Sequence, residues 1–209
     1  MLTDMRAMLF LAYCLFLLTV ACSDPEPATS DDDIRTSAPD STILILPGRQ
    51  LGQIHVHARP EVLDTLLGQP YRSDSGAGTT VAYYHSPLEG DTTTLTVVLT
   101  LEPDDSMRKN VQIVRTGSPE YRDEYGLGVG SSRERIAEHY NLSGSLGGYP
   151  ASGDSVGVYA TATGLTWEID AEGICRGLSV HDTRRTPSPN YRPEYPEMTR
   201  EYPPVNEQR

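Results

Sequence analysis

Apolar residues are unevenly spread along this chain, and their spacing divides it into four stretches. From Ala7 to Ala21 they are continuous, with Tyr13, Cys14 and Thr19 the most polar members and no charge. That run is short of the roughly 20 residues a membrane-crossing helix needs and fits the apolar core of a secretory signal. From Ser23 to Ser41 they nearly vanish, leaving Ile34 as one large aliphatic residue among acids and prolines. From Thr42 to Thr183 they return in periodic patterns. From Arg184 onward they give way to Pro, Arg, Glu and Tyr.

Inside the third stretch the periods predict short strands and two short helices. Thr42–Leu46 is an aliphatic run stopped by Pro47-Gly48, and Ile54–His57 alternates apolar and polar; both read as strands. Pro60–Leu67 opens on proline and closes on Gly68, with Pro70 just beyond, which is helix punctuation. Val62, Leu63, Leu66 and Leu67 form its core-facing stripe. Thr79–His85, Thr92–Leu101 and Val111–Val114 are β-like, with turns at Gly90-Asp91 and Pro103-Asp104-Asp105. The order then restarts. Leu127-Gly128-Val129 precedes a helix over Arg133–Tyr140 capped by Ser132. A glycine-rich loop is expected from Gly144 to Gly153, then strands at Val156–Tyr159, Leu165–Ile169 and Ile174–Val180. Shifted by 73 positions, Ile54 and Val56 fall on Leu127 and Val129, His57 on Gly130, Leu63 on Ile136 and Leu67 on Tyr140. The expectation is an α+β fold: an antiparallel sheet with short helices packed on one face, arranged as two βαβββ-like repeats over 42–115 and 116–183.

The uncharged run ends in Leu18-Thr19-Val20-Ala21-Cys22, which resembles the lipobox of bacterial lipoproteins. The resemblance implies cleavage after residue 21 and lipidation of Cys22, with Thr19 standing where leucine is preferred. Residues 1–21 are then a signal peptide, and initiation at Met5 would give it a cleaner basic start. Residues 22–41 are the lipidated cysteine and a disordered acidic linker, too poor in apolar surface to offset its ordering entropy. Residues 42–183 are one domain, and 184–209 a disordered tail with polyproline character. Ser23, after the cysteine, is compatible with an outer-membrane destination. The expected address is the bacterial cell envelope, lipid-anchored at the outer membrane or periplasmic face.

The helix segments, including Leu127-Gly-Val-Gly-Ser-Ser132 with Ile136 and Leu67-Gly68-Gln69-Pro70, resemble a Gly-x-Ser/Thr…Leu-Gly-x-Pro signature. That signature is similar to one in β-lactamase-inhibitor-protein-like and SmpA/OmlA-like lipoprotein domains. The closing run Gly164–Ile169, Gly173, Leu178–Val180 resembles the last hairpin of such repeats. The likeness covers roughly Thr42–Thr183; His57 and Asn141 replace expected glycines. It implies helices on one face of an antiparallel sheet and binding to other proteins.

Charge narrows the partners. The chain holds 17 basic and 29 acidic residues, net −12, and Lys109 is its one lysine. Nucleic-acid binding needs cationic side chains to neutralise phosphates, so that class is excluded. Cys14 leaves with the signal and Cys22 is acylated, so Cys175 is the one thiol left in the domain, expected as a buried structural cysteine. His55 and His57, two apart on a strand, would share a face and form half of a metal site; no third ligand is identifiable, and no metal or cofactor is expected. Gly126–Gly130 lacks the βαβ context of a dinucleotide fingerprint. The leading functional expectation is a non-catalytic, membrane-anchored module that binds an envelope protein. Tyr83, Tyr84, Tyr159 and Trp167 are the possible interaction surface. The alternative is an envelope enzyme or small-ligand binder with a site built from scattered loop residues.

Overall fold

Alternating β-branched and polar residues dominate the body of the chain, and strands dominate its fold. The structure, a computed structural model, describes residues 40–102, 105–151 and 154–184. Among these the elements run β1 (Ile45–Leu46), β2 (Gln50–Leu51), β3 (Ile54–His55), α1 (Pro60–Leu67), β4 (Arg72–Gly76), β5 (Thr79–His85), β6 (Thr94–Glu102) and β7 (Asp105–Thr116). Then follow α2 (Arg133–Ala137), β8 (Gly144–Ala151), β9 (Asp154–Ala160), β10 (Leu165–Ile169) and β11 (Cys175–His181). β1, β2 and β3 make a small antiparallel sheet. The other eight strands form one sheet in the order β4-β5-β6-β7-β11-β10-β9-β8, antiparallel at every pairing. The fold is thus a β-rich α+β fold, and its large sheet is two four-stranded meanders joined through their last strands.

Helix α1 forms where proline pre-sets the first turn, and it ends at Gly68, whose φ is +72°. Its apolar stripe is narrower than the spacing predicts: Leu63 is buried, Leu66 and Leu67 are partly buried, and Val62 is exposed. Helix α2 starts at Ser132, whose hydroxyl accepts the Arg135 N–H. It stops at Ala137 rather than at Tyr140, and Tyr140 nonetheless stays buried.

Leu63 and Ile136, one from each helix, share a core cluster with Val97, Val114, Leu165, Trp167, Leu178 and Val180 of the sheet. Ile45, Leu51 and Ile54 of the small sheet join them. Two smaller clusters, Val81–Tyr83–Val98–Ile113 and Tyr149–Val156–Val158, lie apart from it. Alternation explains the division: Tyr84 and Ala82 point to the main core, Tyr83 and Val81 to the other side.

Several sequence expectations are corrected. The stretch from Gly144 to Gly153 is not all loop: Gly144–Ala151 is strand β8, with a bulge between Ser145 and Gly147. Strand β4 was not foreseen, because Arg72–Gly76 carries no apolar residue and all five positions are exposed. Leu127–Val129 forms no strand. Each half therefore carries four meander strands after its helix, not three.

The two halves share backbone details. The His57 N–H donates to the Val111 carbonyl at 2.7 Å, and the Val111 N–H returns a bond to Ala58 at 2.9 Å. In the second half the Gly130 N–H donates to Cys175 at 2.8 Å, and the Cys175 N–H returns one to Ser131 at 2.9 Å. His57 and Gly130 both have positive φ, 69° and 90°. The β6–β7 ladder slips between Val98 and Leu99, and the β10–β11 ladder slips between Glu168 and Ile169. Where the meanders meet, Arg115 of β7 faces Ser179 of β11, with Thr116–Leu178 and Val114–Val180 on either side.

Candidate functional site

Cys22, nearly all of the linker and nearly all of the tail lie outside the described residues. Of the four aromatic residues expected at a contact surface, three are interior. Trp167 is fully buried in the main core, its ring 5.4 Å from that of Tyr140. Tyr84 is buried in the same cluster, and burial raises its phenol above the ordinary range. Tyr83 is buried on the opposite side, under the Arg72 guanidinium at 5.1 Å. Tyr159 alone is partly exposed; its hydroxyl accepts from Arg133 at 3.0 Å, and the same guanidinium lies over its ring. Strand alternation makes these packing residues, since both sides of the central strands are filled.

His55 and His57 do not share a strand face. Strand β3 ends at His55, and His57 follows in a left-handed conformation. Among the described residues no group of three His, Cys, Asp or Glu stands where it could hold a metal ion. His57 instead joins a charged cluster. Its Nε2 lies 3.1 Å from the Arg184 guanidinium and 3.3 Å from Asp182, and its Nδ1 lies 3.9 Å from Glu102. A guanidinium only donates, so Nε2 accepts from Arg184 in this arrangement. Arg184 also grips both Asp182 oxygens at 3.0–3.1 Å. Burial opposes the Asp182 charge, but these bonds outweigh it and hold the carboxyl below its ordinary range. A bulky residue with positive φ costs roughly 1–2 kcal/mol, and this contact set offsets part of that cost.

A second polar centre sits on the seam between the meanders. Arg115 of β7 donates from Nε and a terminal nitrogen to the two oxygens of Glu168 of β10, both at 2.7 Å. The Tyr149 hydroxyl of β8 donates to the same carboxylate at 2.8 Å. Glu168 is fully buried and the Arg115 side chain is 13% exposed. Gly177 makes room for the pair: a Cβ there would stand 2.2 Å from a Glu168 oxygen. Thr96, Arg115, Ser179 and Thr166 form one row across four strands. The hydroxyls of Thr96, Ser179 and Thr166 are buried without a hydrogen-bond partner among the described residues. This centre is a specific electrostatic pin between β7 and β10. Cys175 faces the other side, and burial pushes its thiol up to about 12, so it stays protonated.

The exposed aromatic surface lies elsewhere. Tyr71 is 51% exposed and Tyr125 46% exposed. Each is stacked on a histidine: Tyr71 on His85 with ring centres 4.7 Å apart, Tyr125 on His139 at 4.0 Å. Tyr71 is tied further by a 3.0 Å bond between its hydroxyl and Thr94. Near Tyr125, Asp123 accepts the Tyr125 and Leu127 N–H groups on one oxygen and the Tyr140 hydroxyl, at 2.7 Å, on the other. Burial and this carboxylate keep the Tyr140 phenol protonated. The sequence signal for both stacks was weak. Tyr71 follows Pro70 and Tyr125 sits in a polar turn, outside any periodic run.

Compared with known proteins, the chain matches no family model, no curated protein and no solved structure.

Proposed function

We propose that this chain is a lipid-anchored, extracytoplasmic protein of the bacterial envelope that binds another protein, and that its domain is a tandem pair of repeats. The repeat reading is supported by the paired bonds of His57 and Gly130 to β7 and β11, the matching ladder slips and the mutual facing of Arg115 and Ser179. From Val111 to Cys175 and from Arg115 to Ser179 the offset is the same, 64 positions. Each repeat is a helix followed by a four-stranded meander. The anchor reading rests on the apolar run ending in Cys22.

The observation that carries the binding reading is the pair of exposed tyrosines held against His85 and His139. An aromatic ring that is exposed yet already fixed loses little conformational freedom on association, which suits an interface anchor. The partner is an envelope protein.

Two measurements test this. Labelled palmitate should enter the full chain and not its Cys22→Ala variant; label persisting in the variant removes the anchor. Capture of the full chain from membranes in mild detergent should retain one envelope protein that the Tyr71→Ala/Tyr125→Ala variant releases. Undiminished retention by that variant overturns the assigned surface.

A further inference from the structure

We infer that the open edge of the large sheet, strand β4, is a self-association site that pairs antiparallel with β4 of a second copy of this chain. This stands on a different observation from the proposed anchor and the tyrosine surface, and needs neither.

The sheet has two edges, β4 and β8, and the chain treats them differently. Strand β8 is bulged between Ser145 and Gly147 and carries Pro150, which has no N–H to offer. Bulges and prolines are devices that stop an edge from recruiting another strand. Strand β4, Arg-Ser-Asp-Ser-Gly, has neither. Its five residues pair with β5 in unbroken register from Arg72–Tyr83 to Gly76–Thr79, and all are exposed. It therefore offers a regular row of outward backbone donors and acceptors.

Its charges say what fits that row. Isolated like charges on an edge repel a second copy. Here Arg72 and Asp74 flank Ser73 with opposite signs. In an antiparallel pairing centred on Ser73, Arg72 of each copy faces Asp74 of the other. Residues directly opposite in such a ladder sit about 4.5–5.5 Å apart at Cα, close enough for opposite charges to attract. By symmetry one pairing makes two such contacts. Arg72 is also pre-positioned, since its guanidinium is stacked 5.1 Å over the Tyr83 ring. The resulting sheet runs unbroken through both copies. Five residues bury little surface, so the association is of the weak, reversible class.

The test is sedimentation velocity on the purified full chain in mild detergent, from micromolar to about millimolar concentration. The expected result is a concentration-dependent dimer for the wild type. D74R places two arginines on the edge and R72D places two aspartates, so each alone should dimerise at least about tenfold more weakly, two contacts having turned from attraction to repulsion. An equimolar mixture of the two variants should recover wild-type association, because each copy then supplies the charges the other lacks. A wild type that stays monomeric throughout overturns the inference. So does a dimer that D74R leaves unchanged, or folded variants whose mixture stays as weak as either alone. Thermal melts of each variant separate loss of pairing from loss of fold.

Discussion

The turn entering α1 and the turn entering α2 occupy equivalent places with different residues. Both make the same reciprocal pair of backbone bonds, one to Val111 and one to Cys175. The second turn uses Gly130, which takes positive φ at little cost, and then Ser132 as a hydroxyl cap. The first uses His57, which does not, and Arg59, which caps nothing. What the first turn gains is the cluster with Asp182, Arg184 and Glu102. The lesson is that the same backbone bonds to the last strand of a meander can be made by turns of quite different residues.

The largest expected effect comes from cutting the tie between the halves. Arg115→Ala leaves Glu168 buried with its charge uncompensated, and should cost about 3–5 kcal/mol in urea unfolding. Replacing both partners, Arg115→Met with Glu168→Leu, should recover most of that. If the single variant loses under about 1 kcal/mol, the pair is not the pin described. Next is Gly177→Ala, where the new methyl meets Glu168 and the Arg115 guanidinium. It should cost roughly 1–3 kcal/mol.

The turns themselves come third. Gly130→Ala should lose roughly 1–2 kcal/mol in thermal melts because its φ is +90°. His57→Gly should change stability by under about 1 kcal/mol, strain relief offsetting the lost contacts. Ser132→Ala should cost about 1 kcal/mol. A larger loss from His57→Gly than from Gly130→Ala would reverse the comparison.

The smallest effect is in acid. Asp182 has a folded pKa below its unfolded one, so its contribution is full above the ordinary carboxylate range and is lost as pH falls through the folded value. As pH falls below the ordinary carboxylate range, about 4, the wild type should therefore lose more stability than Asp182→Asn, measured by urea midpoints. Parallel losses would mean that Arg184 and His57 do not favour the charged Asp182.

Much of the fold was legible in residue order because single strands and helix ends carry local signals. Thr79–His85, Leu165–Ile169 and Pro60–Leu67 are predicted at the bounds observed. Strand β4 was illegible because an exposed edge needs no apolar residue, and β8 because its glycines imitate a loop. Three of the four aromatics expected at a contact surface are interior for a related reason. An aromatic in a strong β pattern, such as Trp167 or Tyr84, is there to be buried, whereas Tyr71 and Tyr125 stand outside any pattern. The ion pair of Arg115 with Glu168 joins residues 53 apart, a distance no local rule spans.

The joining of the large sheet through β7 and β11 sets an order of assembly. A chain delivered N-terminus first completes its first meander while the partner of β7 is still dozens of residues away. During that interval the inner flank of β7, central in the finished molecule, is a bare ribbon that any neighbouring chain can capture. Slow delivery anywhere between the end of β7 at Thr116 and the end of β11 at His181 should thus be more hazardous to yield than slow delivery of any segment before β7, and an escort that shields β7 would be most useful in that window.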